Sequence, residues 1–183
     1  FHFSSSHTFK ICTLNWFEMN ELKRIKTQSV HLGPIREAEL SPDGNYIFSI
    51  GEDDGIPFVL NANTLETSTD FDLAMLSTSM MRAITSNSNG NFFVFAEDGE
   101  NQINKVSWPS CNDVKNLAES TSRPNLIDVS SDGKYLAYTG EDPMVNVIDL
   151  IGDEEPIFLA DNESEVLFLK FSPDNKMLVS MDN

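Results

Sequence analysis

Two arginines and one asparagine stand at a repeated distance from a turn, with a third arginine close by. Arg36 lies eight residues before Gly44, Arg82 eight before Gly90 and Asn125 eight before Gly133, with Arg123 two positions from Asn125. Basic side chains are scarce in this chain, 12 Lys and Arg against 29 Asp and Glu, so arginines that recur at one register position stand out. A guanidinium offers a planar fork of N–H donors that fits the oxygens of a carboxylate or a phosphate, and arginine is over-represented among the residues that dominate interfaces. Met80, beside Met81 and Arg82, would add an adaptable apolar contact. The chemistry open to Arg36, Arg82, Arg123, Asn125 and Met80 is therefore capture of an anionic group. The competing use of the same arginines is internal, each pairing with an acidic loop of a neighbouring repeat.

Other reactive types do not converge. His2, His7 and His31 all precede the first full repeat and form no metal-type pair, so they read as exposed loop or strand-edge residues. Cys12 sits in the alternating run FKICTL and is expected to face a core or a neighbouring repeat, while Cys111 follows Trp108, Pro109 and Ser110 in a loop, and no partner that would activate either thiol is evident in the sequence. Acidic clusters at 52–54, 97–98, 141–142 and 153–155 suggest calcium chemistry, yet none has the full loop pattern of an EF-hand. Three of them occupy the same place in successive repeats and read as solvated turns that make one rim negative. The expectation is a protein with no catalytic residues, no metal and no cofactor.

Composition narrows the partners. The formal net charge of -17 repels polyanions, which argues against direct binding of nucleic acid, where many Lys and Arg contacts to phosphate are needed. Two cysteines without paired spacing suit a reducing, intracellular setting, nucleus or cytoplasm. No apolar run reaches the roughly 20 residues that span a bilayer, and no secretory leader is recognisable, so membrane insertion is not expected. The sequence starts at Phe1 and is expected to be an excerpt of a longer protein.

The elements that must position these side chains are written as a repeat. AELSPDGNYIFSIG (38–51), ITSNSNGNFFVFAE (84–97), IDVSSDGKYLAYTG (127–140) and LKFSPDNKMLVSMD (169–182) share an alternating apolar run, an Asp/Asn-Gly type turn and a second apolar run. With Gly44, Gly90, Gly133 and Asn175 as turn positions, the separations are 46, 43 and 42 residues. Each phrase predicts a β-hairpin whose turn needs a positive φ at the Gly or Asn. A third strand is predicted at 57–61, 103–108 and 145–150, and a weaker fourth at 22–27, 65–70, 114–118 and 156–159. Residues 9–27 read as strand, turn, strand in preference to a helix over 18–26, and 73–81 has no clean period. Four short antiparallel strands per repeat of about 43 residues is the blade of a β-propeller. The expected division is a partial blade at 1–32, blades at 33–72, 73–119 and 120–160, and the start of another at 161–183, all in one all-β domain of a larger ring.

The strings LSPDGNYIFSIGEDDG, VSSDGKYLAYTGEDPMVNVIDL and LKFSPDNKMLVSMDN resemble WD40 repeats, and the likeness covers nearly the whole chain from about Phe9. The chain departs from the family pattern in two places: Leu32-Gly33-Pro34 stands where Gly-His often opens a repeat, and the Trp-Asp pair survives only as Ile148-Asp149. The family's buried His–Asp network is thereby unsupported in the sequence except through Asp149. The resemblance implies a non-catalytic scaffold docking other proteins in a multi-subunit assembly. It also places the arginine positions at the narrow end of the central channel, where such proteins bind peptides, here acidic or phosphorylated ones. SDGKYLAYTGEDPMVNVIDL is also similar to YVTN-type propellers, which implies the alternative of a lactonase-like hydrolase with a divalent metal in its channel. KVSWPS (105–110) followed by a repeat ending VNVIDL resembles the amino-terminal propeller of a replisome adaptor family, implying a replisome or chromatin role.

Overall fold

The computed structural model describes residues 13–18, 23–31, 33–71, 79–87, 91–152 and 154–183. They form fifteen strands and no helix: β1 (Thr13–Glu18), β2 (Lys23–Ser29), β3 (Ile35–Leu40), β4 (Tyr46–Gly51), β5 (Pro57–Asn61), β6 (Met81–Asn87), β7 (Phe92–Glu97), β8 (Gln102–Ser107), β9 (Val114–Glu119), β10 (Leu126–Val129), β11 (Tyr135–Thr139), β12 (Val145–Asp149), β13 (Ile157–Leu159), β14 (Phe168–Phe171) and β15 (Leu178–Met181). They make five antiparallel sheets in chain order, β1-β2, β3-β4-β5, β6-β7-β8-β9, β10-β11-β12-β13 and β14-β15. The weak strand expected at 65–70 is reduced to a single bridge from Leu60 to Thr67, because Leu65 takes a φ of 54° and turns into the core beneath Leu60. Of the segment 73–81, residues 73–78 lie outside the described residues.

The hairpin turns follow from one local device. Ser41 donates its hydroxyl to Asp43 (2.6 Å) and accepts the N–H of Tyr46 (3.0 Å), while Asp43 also accepts the N–H of Asn45 (3.1 Å). Ser130, Asp132 and Tyr135 repeat the arrangement, as do Ser172, Asp174 and Met177. Burial pushes the Asp43 carboxyl up, but the hydrogen bonds from Ser41 and Asn45 outweigh it and hold the group at about 2. Gly44 (φ 70°), Gly133 (φ 72°) and Asn175 (φ 59°) supply the left-handed residue, a conformation that glycine adopts freely and asparagine tolerates.

Burial links the sheets face to face. Phe48, Ile50 and Val59 of β3-β4-β5 pack against Met81, Ile84, Phe93, Phe95, Val106 and Trp108 of the next sheet. The other face of that sheet, with Phe92, Val94, Ala96 and Ile103, meets Ile127, Val129, Leu136, Tyr138 and Ile148. Ala137 and Val145 then meet Val166 and Leu169. Strand β7 (FFVFAE) is buried at every position because both of its faces are covered, which is why it reads as a continuous apolar run and not an alternating one. Trp108 is buried among Tyr46, Phe48, Phe71 and Phe93.

The first strands of successive sheets lie side by side, β3 against β6, β6 against β10 and β10 against β14. Their cross-links are spaced by one repeat: Glu37 accepts the N–H of Ile84 (2.7 Å), Asn87 donates to the carbonyl of Ser130 (2.9 Å), Asp128 accepts the N–H of Phe171 (2.7 Å) and Asn175 accepts the N–H of Ser131 (2.8 Å). Among the described residues no helix is long and apolar enough to cross a membrane.

Candidate functional site

Arg36 and Arg82 both sit on β-bulges. The β3–β4 register shifts between Ile35 and Glu37, and the β6–β7 register shifts between Met81 and Ala83, leaving each arginine as the extra residue. A bulge re-aims the side chain of the residue it leaves unpaired. At the third repeat Asn125 stands immediately before β10 and its N–H donates to the carbonyl of Thr139 (2.9 Å). The three register-equivalent residues are thus presented at the same end of adjacent first strands.

Arg36 spans its neighbours. Its Nε–H donates to the main-chain oxygen of Arg82 (2.5 Å) and its Nη2 donates to Oδ1 of Asn125 (2.6 Å). Asn125 in turn donates to Glu165 (2.9 Å). Arg123 takes the internal role weighed from sequence, a bidentate pair with Asp98 of the 97–102 link at 2.6 and 2.5 Å. That pairing raises the Arg123 guanidinium and lowers the Asp98 carboxyl. Arg82 is the member left with spare capacity: its Nε is buried and makes no hydrogen bond. Burial, and then the nearby charges of Arg36 and Arg123, lower its pKa, partly offset by Asp98 and Glu141.

Arg36, Arg82 and Asn125 line a cleft of about 260 Å³ together with Glu37, Glu52 and the apolar Ile35 and Leu126. Burial pushes the Glu37 carboxyl up to about 7, against the opposing pull of the Ile84 N–H and Arg36. Met80 is half-buried outside this cleft, where its side chain closes on Gly55 so tightly that an added Cβ would lie 2.6 Å from that of Met80.

At the opposite end of the first strands a second cleft, of about 360 Å³, is lined by polar groups that include Glu39, Asn87, Asp128 and Lys170. Lys170 pairs with the buried Asp128 at 2.5 Å, so this cleft carries its own counter-charge.

His31 differs from its sequence reading. It is 3% exposed, its Nε2 is 3.0 Å from Ser49 Oγ, its Nδ1 lies 3.7 Å from Asp54 Oδ1, and its ring meets Phe58 edge-on at 5.0 Å. A register-equivalent tie recurs three repeats later, where Ser180 donates to Asn162 (3.1 Å). Several acidic-loop carboxylates are likewise structural: Glu97 is buried and accepts from Asn104 (3.3 Å), and Asp142 accepts from Thr121 and Ser122 (3.0 Å each). Cys111 is half-buried, and burial pushes its thiol up, away from the reactive thiolate. His2, His7, Cys12 and Asp153 lie outside the described residues. Among the described residues no group of three or more His, Cys, Asp or Glu side chains could hold a metal ion. No protein-family model matches the chain, and no curated protein matches it.

Proposed function

We propose that the chain is part of a WD40-like β-propeller that acts as a non-catalytic docking scaffold, and that the cleft of Arg36, Arg82 and Asn125 receives a carboxylate or phosphate group of an acidic or phosphorylated peptide. The carrying observation is the convergence of two bulge-borne guanidinium groups on one cleft, one of them with its Nε unpartnered. Such a fork, partly shielded from water, holds an oxyanion more strongly than an exposed one, because a lower local dielectric weakens charge interactions less than bulk water does. The propeller reading is supported by sheets packed face to face and by first strands side by side. A body of net charge -17 repels acidic partners elsewhere, so the cleft also confers selectivity.

Fluorescence anisotropy with a labelled peptide of phosphoserines flanked by glutamates tests the proposal. Arg82→Gln should weaken binding by about tenfold or more, the loss expected for one charge-assisted pair. Lys176→Gln, remote and pairing only with Asp174 in its own turn, should leave binding unchanged. Equal affinity for Arg82→Gln and the wild type, or no binding by either, overturns it.

A further inference from the structure

Lys105 and Lys115 stand directly opposite each other on β8 and β9. Like charges so placed repel, and in a chain with 12 basic against 29 acidic residues a carboxylate would be the commoner neighbour. Neither lysine is ion-paired among the described residues. The Lys105 ammonium is held instead over the Phe92 ring, 4.0 Å from its centroid, on the face of the β6-β7-β8-β9 sheet that the next sheet covers. Burial, and then the charge of Lys115, lower its pKa. Lys105 is a partly desolvated cation facing a second cation.

Both lysines line a cleft of about 250 Å³ at the seam where β7, β8 and β9 meet Leu150, the residue after β12. Its lining lies within the two four-stranded sheets and their turns, and it shares no residue with the arginine cleft. The apolar wall is Phe92, Leu117 and Leu150, which pack in one cluster. The other polar groups are Asn91, the Ser107 hydroxyl and the Asp113 carboxylate, which is exposed and pairs with neither lysine. Two ammonium groups and one carboxylate leave the cleft with a single positive charge. One carboxylate neutralises it, whereas a phosphate monoester, with a charge of about −1.5 to −2 at neutral pH, overfills it.

The geometry points to a binding site for an organic acid, its carboxylate between Lys105 and Lys115 and its apolar body against Leu117 and Leu150. Each ammonium supplies charge-assisted hydrogen bonds to the carboxylate oxygens, and the Ser107 hydroxyl is a further donor at the cleft. The bound anion offsets the repulsion between the lysines, so the ligand also stabilises the folded chain. The apolar wall favours an acid with a branched or aliphatic body over an inorganic anion, and Asp113 disfavours a second negative charge. A free small acid and the C-terminal apolar residue of a peptide present the same chemistry.

Nuclear magnetic resonance titration of the full 183-residue chain at constant ionic strength tests this, with isovalerate, N-acetyl-glycyl-leucine and inorganic phosphate as probes. Both carboxylates should give saturable amide shifts at Lys105, Lys115 and Leu117, and the C-terminal amide of the same peptide should give none. Tighter binding of the peptide assigns the site to a chain end, and tighter binding of isovalerate to a small acid. Lys115→Glu, which gives Lys105 an opposite charge across the strands, should weaken binding at least about tenfold while raising the thermal midpoint. Lys115→Gln should also weaken it, without a new pair, and serves should the glutamate variant fail to fold. Shifts confined to Arg36, Arg82 and Asn125 would place the acid in the arginine cleft and overturn the inference. So would an absence of saturable shifts, tighter binding of phosphate than of either carboxylate, or folded Lys115 variants with wild-type affinity.

Discussion

Arg36 donates its Nε–H to the main-chain oxygen of Arg82 at 2.5 Å, so one guanidinium braces the strand that carries the next. The arginines are not interchangeable members of a charged ring: Arg36 builds the cleft, Arg123 neutralises Asp98, and Arg82 has the unmet donor.

Arg36→Lys is expected to destabilise the fold. A single ammonium cannot reproduce a fork that serves the Arg82 carbonyl and the Asn125 amide in two directions. The loss should be about 1–3 kcal/mol in urea denaturation, from the hydrogen bonds removed and the acceptors left unpaired. A midpoint equal to the wild type's would show that the bridge contributes nothing.

Glu37 gives a pH dependence of known sign. Its carboxyl is raised by burial from 4.5 to about 7, so the folded protein holds this proton where the unfolded chain releases it. The contribution is therefore present below about pH 4.5 and lost as pH rises through 7. Glu39, also raised by burial, adds in the same direction, while Arg36 and Lys170 oppose the shift on Glu37. Glu37→Gln keeps an acceptor for Ile84 and should flatten the stability profile across that window by an amount of order 1–3 kcal/mol. Chemical denaturation of both proteins at several pH values measures it, and parallel profiles would refute it.

Two turns separate backbone strain from side-chain bonding. Gly44 has φ 70° and open space around it, so Gly44→Ala should cost about 1 kcal/mol purely from conformation. Asn175→Gly relaxes a φ of 59° but removes the acceptor that Ser131 uses twice, at 2.8 and 2.7 Å. It should still destabilise, by about 0.5–1.5 kcal/mol. Thermal unfolding of the two variants decides between strain and bonding as the reason for asparagine there.

Phe48 and Phe158 should behave oppositely. Phe48 is fully buried among Phe93 and Trp108, and Phe48→Ala should cost about 3–5 kcal/mol through the cavity it leaves. Phe158 on β13 is 61% exposed, and Phe158→Ala should stay within about 0.5 kcal/mol. Urea midpoints for the pair check the assignment of the core.

The hairpins were legible because their turns are chemically specified. Ser41, Asp43 and Gly44 each meet a local demand of the backbone, and the strand expected at 57–61 coincides with β5. Hydrophobic pattern then set the all-β class. The strand at 65–70 failed because a left-handed Leu65 is invisible in its side-chain type. The cleft was half legible: equal spacing from the turns put Arg36, Arg82 and Asn125 together, since strands of equal length in equal register end at one level. The bulges that lift both arginines out of the ladder left no mark in the sequence, and neither did the choice of Asp98 by Arg123. His31 was misjudged because its partners Ser49 and Asp54 become neighbours only once the hairpin folds back over the preceding loop.

Cross-links such as Glu37 to Ile84 and Asp128 to Phe171 tie each sheet to the one after it, and Arg36 to Asn125 is the described tie that reaches one sheet further. Stability in such a stack behaves as a row of nearest-neighbour couplings. Amide exchange should therefore be slower in β6-β7-β8-β9, which is clamped on both faces, than in β14-β15, where Val179 and Met181 are exposed. A lesion in the middle sheet leaves its two neighbours joined by little more than the bridge from Arg36 to Asn125, whereas one in β14-β15 leaves the couplings among the other described sheets intact.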